Sequence, residues 1–267
     1  MESLARGVAR KLAVESVEPV VRYALPLDDE RIALNPLLGR RIRLVFTGAI
    51  HCLACGRATR KSYCQGHCYP CSRRLAACDL CILKPEMCSF HQGGCREPEW
   101  GQVHCIQPHV VYLSNTSGLK VGITRRSQIP VRWVDQGAVQ ALPVLEVDQR
   151  LHAGLVERVL AERLADKTNW RAMLKGEPEC LDLPALADRA LEEVALPELP
   201  LRRLTDARPV TLNYPVDRYP DKVVALNLDK QPEIDGVLWG IKGQYLIFDT
   251  GVINLRKYGG YQLELFA

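Results

Sequence analysis

Ten of the eleven cysteines in this 267-residue chain lie between Cys52 and Cys105, and no other feature restricts its folding as much. The start, "MESLARGVARKLAVES", mixes acids and bases and lacks the apolar core of a secretory signal. A cytoplasmic, reducing compartment is therefore expected, where disulfides are rare and clustered thiols are better explained by metal. Cys52-Leu-Ala-Cys55 and Cys68-Tyr-Pro-Cys71 are two C-x-x-C knuckles with twelve residues between them. Each knuckle aims two sulfurs at one ion, and two knuckles complete the tetrahedron of a closed structural zinc site. Cys64 is left over as a free thiol near the site, or as a replacement for Cys68.

A second group follows. Cys78-Asp-Leu-Cys81 is a third knuckle, and Cys88, His91, Cys95, His104 and Cys105 compete for the two remaining places. The preferred set is Cys78, Cys81, Cys88 and Cys95, with Cys105 or His91 as alternates. Thiolates favour zinc over harder ions, and an iron–sulfur cluster is the alternative. About two zinc ions are expected, both structural, because a site filled by four protein ligands leaves no position for water. Their effect is energetic: a loop-rich stretch with few large apolar residues is held together by the metal.

Charge is unevenly distributed. Residues 1–175 carry 25 Lys+Arg against 16 Asp+Glu, a balance of +9, and residues 176–267 carry 10 against 15, a balance of −5. The basic excess accompanies the cysteines and suits a polyanion such as nucleic acid, DNA or RNA. Arg57, Arg60, Lys61, Arg73 and Arg74 lie among the knuckles, and Arg125 and Arg126 lie farther on. The competing reading is a solvated surface. No apolar run reaches the ~18 residues of a membrane span, so no membrane partner is expected.

Hydropathy and turn residues divide the chain into five segments. Residues 1–50 are β-rich, with "VVRYAL" and "RIRLVFTGAI". Residues 51–109 hold the cysteines, and residues 110–175 are mixed α/β. Residues 176–200, interrupted by prolines and carrying one helical stretch at 185–194, read as a connector. Residues 201–267 return to strands: "KVVALNL", "GVLWGI", "QYLIFD", "GVINLRK" and "YQLELF". Whether the two β-rich ends pair into one sheet is open at this level.

Within 110–175, Val110-Val111-Tyr112-Leu113 and Leu119-Lys120-Val121-Gly122-Ile123 read as a hairpin joined through Asn115-Thr116-Ser117-Gly118. "SQIPVRWVDQG" reads as a short helix, with Pro130 in its first turn and Gly137 at its stop. "VQALPVLEV" reads as a strand with Pro143 near an edge. Residues 151–166 read as a longer helix with two apolar rows, Leu151/Leu155/Val159 and Val156/Leu160/Leu164.

That order, strand–strand–helix–strand–helix, resembles the GIY-YIG nuclease domain. Val110-Val111-Tyr112 matches the family's first motif with apolar residues for Gly-Ile, and Lys120-Val121-Gly122 matches the second with Lys120 in place of tyrosine. The resemblance places the family's arginine at Arg132 and its metal-binding glutamate at Glu157. It implies phosphodiester cleavage with one Mg²⁺ or Mn²⁺ on Glu157, Arg132 on the phosphate, and Tyr112, helped by Lys120, orienting or deprotonating the attacking water. Each residue also has a plainer role: Tyr112 in the core, Lys120, Arg125 and Arg132 as solvated charges, Gly122 for close packing. His109 and His152 are candidate proton carriers. The whole chain also resembles a family of bacterial proteins built on a domain of unknown function, through "CREPEW", "KVGITR", "RWVDQGA", "DKTNWR" and "GIKGQYL".

The expected architecture is α+β: a zinc-ribbon-like cysteine segment, then a small GIY-YIG-like β-β-α-β-α domain, flanked by β-rich N- and C-terminal segments. The expected function is zinc-supported nucleic-acid binding with divalent-metal-dependent endonuclease activity. The rivals are a non-catalytic nucleic-acid or ribonucleoprotein binding module and a zinc-ribbon protein–protein adaptor.

Overall fold

The computed structural model describes residues 1–165, 167–193, 195 and 198–267. In chain order the strands and α-helices are β1 (Ser3–Val8), β2 (Ala13–Ser16), β3 (Arg22–Leu27), β4 (Glu30–Ala33), β5 (Arg41–Ile50), α1 (Tyr69–Arg74), α2 (Pro98–His104), β6 (His109–Asn115), β7 (Leu119–Arg125), α3 (Val131–Asp135), β8 (Gln140–Val147), α4 (Arg150–Leu160), α5 (Trp170–Met173), α6 (Leu183–Glu192), β9 (Leu201–Arg203), β10 (Val210–Thr211), β11 (Glu233–Lys242), β12 (Tyr245–Phe248), β13 (Gly251–Asn254) and β14 (Tyr261–Phe266). They gather into two compact units. The first comprises Met1–Arg73, Leu174–Gly176 and Leu212–Ala267, and the second Arg74–Met173 and Glu177–Thr211.

In the first unit the two ends of the chain share one sheet, ordered β1-β14-β5-β11-β12-β13, beside a three-stranded sheet β2-β3-β4. Strict alternation drives this pairing. In β14, Tyr261, Leu263 and Leu265 are buried while Gln262, Glu264 and Phe266 are half-exposed. β11 repeats the pattern with Ile234, Gly236 and Leu238 inward. Each buried leucine contributes about 1.5–3 kcal/mol, and a one-residue slip would turn the whole row outward. β5 lies between β14 and β11 and runs at its end into the first cysteine knuckle. "KVVALNL", expected as a strand, makes only one bridge, Ala225 to Val252. Asn227 stops it, because its side-chain oxygen accepts from the Asp229 amide at 2.8 Å and turns the chain.

The second unit is built on a sheet ordered β10-β8-β6-β7, with β9 also paired to β8. All seven residues of the central strand β6 are buried. Val111, Leu113, Val121 and Ile123 form a core with Ala153, Val156 and Leu160 of α4 and with Leu183, Ala187 and Ala190 of α6. Residues 176–200 are therefore more than a connector, since α6 supplies part of this core. Asn115 and Gln140 fasten the approach to it. Asn115 Nδ2 donates to the Glu179 carbonyl at 2.7 Å, and the Gln140 side chain pairs with both backbone groups of Leu181 at 2.9 and 3.1 Å. Asn115 thus ends β6 as a buried tether, and the hairpin turn proper is Thr116-Ser117-Gly118, with Gly118 at φ +136°.

Pro143 lies inside β8, where β6 covers one side. The proline is tolerated because the β6 register jumps there from Val111↔Leu145 to Tyr112↔Pro143, and because β10 and β9 flank the other side without reaching it. α4 ends at Leu160, earlier than the periodicity suggests, and α6 ends at Glu192. The expected helix ends at Asp166 and Val194 lie outside the described residues. Among the described residues no helix is long and apolar enough to cross a membrane.

Candidate metal centre and the Tyr112 cluster

The first two knuckles close on each other within the first unit. The Cys52–Gly56 turn is fixed by the Gly56 amide donating to the Cys52 carbonyl at 2.8 Å, and Gly56 has φ +70°. Cys68 and Cys71 bracket the start of α1, where the Ser72 amide donates to the Cys68 carbonyl at 2.9 Å. The sulfurs of Cys52, Cys55, Cys68 and Cys71 lie within 4.8 Å of one another, with Cys55 and Cys68 at 3.8 Å. A tetrahedron with metal–sulfur bonds of about 2.3 Å has sulfur–sulfur edges of about 3.8 Å. The four cysteines are therefore close enough together to bind a zinc ion.

The electrostatics of the thiols fit the same reading. Burial alone would raise the Cys52 thiol, but the amides of Cys68, Ala54 and Cys55 outweigh it and bring the thiol down to about 6. Cys71 is pushed up to about 12, first by its hydrogen bond with Cys68 and then by burial. One sulfur is ready to ionise while its neighbour resists, and a divalent cation removes that conflict. Cys64 stands apart, exposed and at φ 43° in the turn before Cys68.

The second cysteine group lies in the second unit and is arranged differently from the preferred set. Cys81, Cys88, Cys95 and Cys105 line one cavity of about 60 Å³, and Cys78 is not among its lining residues. His91 is turned away, its Nε2 2.7 Å from Gln149 Oε1. No cysteine among the described residues is in a disulfide.

Tyr112 on β6 faces Gly122 on β7. A Cβ at Gly122 would fall 2.7 Å from the tyrosine Cζ and hydroxyl, so the glycine makes room for this ring. The ring also meets Trp133 of α3 edge-on at 6.0 Å, and its hydroxyl donates to Gln136 Oε1 at 3.0 Å. Burial pushes the phenol up to about 12, against the nearby charge of Arg132 and with that of Glu157. Arg132 on α3 and Glu157 on α4, both half-buried, thus each act on Tyr112 of β6. Arg150, at the start of α4, feels both Arg132 and Glu157. Gln136, Trp133 and Arg150 escaped the sequence reading. Gln136 lies one helical turn beyond Arg132, the spacing at which a second polar group shares a face.

Lys120 is 4% exposed and stands opposite Ser114, so it is no solvated strand residue. Burial depresses His109 to about 4, and its Nδ1 lies 2.7 Å from the Gln107 carbonyl. It is neutral near pH 7. His152 is held by Asp148 at 2.5 Å. Among the basic candidates, Arg57, Arg60, Lys61, Arg73, Arg74 and Arg126 are exposed and Arg125 is half-buried. Arg126 is already committed, because Glu146 accepts from it at 2.6 Å and from Arg202 at 2.7 Å.

These features define an α+β protein, rich in β-structure, with a four-cysteine centre suited to a zinc ion. It belongs to the family described as "Protein of unknown function (DUF2797)", whose model matches residues 39–263. No curated protein matches the chain, and no solved structure does.

Proposed function

We propose that the protein binds nucleic acid through phosphate and cleaves phosphodiester bonds at the Tyr112 cluster. One observation carries this reading: Tyr112 hydrogen-bonds Arg132 of α3 and feels the charge of Glu157 of α4, two groups from separate helices. A forked guanidinium beside a carboxylate suits a phosphodiester bridged to a divalent cation. Glu157 is the residue that would hold Mg²⁺ or Mn²⁺, which when bound polarises a phosphoryl oxygen and steadies the leaving group. Arg132 holds the phosphate. Tyr112, with its phenol at about 12, stays protonated near neutrality. It acts as a donor that positions its neighbours, and it does not take a proton from water. The resemblance of Tyr112, Lys120-Val121-Gly122, Arg132 and Glu157 to GIY-YIG motifs, with the strand–strand–helix–strand–helix order of β6, β7, α3, β8 and α4, supports the same reading. The basic balance of residues 1–175 supports a polyanionic substrate.

Binding without cleavage is the second reading. It is favoured by the burial of Tyr112 and Lys120, 0% and 4% exposed, which keeps both side chains from solvent. Incubation with Mg²⁺ or Mn²⁺ on single-stranded, duplex and branched DNA and on RNA decides between them. Cleavage by wild type that is abolished in Glu157→Ala, with binding retained, is the expected result. No cleavage of any substrate, or undiminished cleavage by the variant, leaves the binding module.

A further inference from the structure

We infer that the exposed ring of Tyr69 is a stacking platform for an unpaired base of single-stranded nucleic acid, with a basic rim that holds the flanking phosphates. The inference rests on the nucleic-acid reading above and adds the strandedness of the ligand and the place where it is held. All of the residues lie in the first unit. Tyr69 opens α1 between Cys68 and Cys71 and is 58% exposed. Its backbone is fixed on both sides: the Ser72 amide donates to the Cys68 carbonyl at 2.9 Å, and the Ser72 hydroxyl donates to the Tyr69 carbonyl at 2.8 Å. The ring meets that of Tyr63 edge-on with centroids 5.5 Å apart, and the Lys61 ammonium lies 5.5 Å from the centre of the Tyr63 ring. Tyr63 is itself held in a tight turn, where it exchanges both backbone hydrogen bonds with His67 at 2.7 and 2.8 Å. Two aromatic rings and a cation are thus set on ordered turns at the surface, so little conformational freedom remains to be lost when a base arrives.

The charge around these rings is of one sign along the chain. Residues 51–73 carry Arg57, Arg60, Lys61 and Arg73, all exposed, and no Asp or Glu. The C-terminal part of the chain, acidic on balance, adds two more bases here. Arg256 Nε donates to Gln65 Oε1 at 2.7 Å, and Ser62 Oγ donates to the Gly259 carbonyl at 2.8 Å. These bonds lay the 3-10 turn Leu255–Tyr258, with half-buried Arg256 and exposed Lys257, against the loop that carries Lys61 and Tyr63. A zinc ion on Cys52, Cys55, Cys68 and Cys71 leaves two negative charges uncompensated, and these six basic residues outnumber them. A duplex offers its phosphates to such a rim but keeps the faces of its bases stacked. A single strand offers both, and a basic surface with aromatic rings for successive bases holds such strands without regard to sequence. An exposed tyrosine among cations is therefore matched to a single strand better than to a duplex.

The test uses full-length protein purified without chelator and oligonucleotides of equal length as single-stranded DNA, single-stranded RNA and duplex DNA. No Mg²⁺ or Mn²⁺ is added, so that cleavage does not intervene. Wild type should bind a single strand more tightly than the duplex, and the DNA and RNA arms tell which strand is preferred. Tyr69→Ala should weaken single-strand binding roughly tenfold, the loss of one stacked base. The slope of affinity against salt should stay unchanged in that variant, because no phosphate contact is lost. Tyr69→Phe keeps the ring and should bind like wild type, whereas Lys61→Gln should reduce the slope. Photocrosslinking of wild type to a strand carrying 5-iodouracil, mapped by mass spectrometry, should mark Tyr69 and covers the case in which a variant does not fold. No binding of any of the three oligonucleotides by wild type removes the inference together with the reading beneath it. Binding that Tyr69→Ala leaves unchanged, a loss in that variant equal for duplex and single strand, or crosslinks confined to other residues overturns the stacking platform alone and leaves phosphate binding in place.

Discussion

At the scale of single residues, two buried groups set measurable behaviour. The buried Tyr112 donates its hydroxyl to Gln136 at 3.0 Å and also has a side-chain hydrogen bond with Arg132. Tyr112→Phe deletes the hydroxyl, keeps the ring and strands the Gln136 oxygen, which should cost about 1–2 kcal/mol in urea unfolding. Because the phenol is not the base, any cleavage activity should fall without a shift of its pH profile; a displaced profile would restore the tyrosine as a proton acceptor. His109 is the second case. Burial and the charges of Arg150 and Arg125 hold it down at about 4, below the ordinary 6.5. Above pH 6.5 neither folded nor unfolded chain gains a proton there. As pH falls from 6.5 towards 4, the unfolded chain takes one up and the folded chain does not, so stability is lost. The loss between pH 7 and pH 5 should be about 2 kcal/mol. The difference in unfolding free energy between wild type and His109→Gln isolates it, since acid effects at the cysteines enter both. A pH-independent difference would contradict the buried neutral state.

At the scale of elements, what was legible followed the periodicity of side chains. β5 spans the ten residues of "RIRLVFTGAI", and β6, β7 and β8 fall where alternation places them, whereas α3 is shorter than expected and has Pro130 as its N-cap rather than in its first turn. The first two knuckles were legible because C-x-x-C spacing is a local property of one turn. Connections that depend on distant partners were not. The sheet shared by the chain's two ends requires β14 to find β5 across more than half the sequence, and α6 joins its core through Leu183, Ala187 and Ala190, too few apolar residues to announce it. α4 shows how a distant contact outweighs local preference. Gly154 lies in its interior, where alanine would favour the helix by about 1 kcal/mol. A Cβ there would fall 2.5 Å from the Pro85 Cβ and 2.7 Å from the Glu86 amide. Backbone at that distance has to move, and overpacking costs about 1–3 kcal/mol. Gly154→Ala should therefore destabilise the protein, by denaturant unfolding, in spite of its better propensity. A stabilised variant would mean that this stretch yields freely.

At the scale of the whole molecule, the proposed binding of a polyanion rests on charge. The +9 balance of residues 1–175 and the −5 balance of residues 176–267 place attraction and repulsion on different parts of one chain. Exposed Arg57, Arg60 and Lys61 lie between the two knuckles of the four-cysteine centre, and Arg73 and Arg74 follow directly on Cys71. Their spacing is thus set by the same turns that place the sulfurs. Two consequences can be separated. Reversal of charge in the double variant Arg73→Glu, Arg74→Glu should weaken binding to all nucleic-acid sequences alike and flatten the dependence of affinity on salt, because each lost phosphate contact releases fewer counterions. Removal of the metal should do something different. Cys52→Ser, or chelation of wild type, leaves every basic residue in the chain but releases the turns that space them. Zinc content should fall and amides of the 52–71 loop should lose hydrogen-exchange protection, since at such a site binding energy is folding energy. If the loop presents the contacts, affinity should fall as well, with the salt dependence reduced but the charge count unchanged. Acid should reproduce the loss, because protons compete with zinc for thiolates and binding weakens as pH falls. Binding that is indifferent to salt would remove the electrostatic account. Binding that survives metal loss with its salt dependence intact would separate the nucleic-acid surface from the cysteine centre and leave that centre a purely structural role.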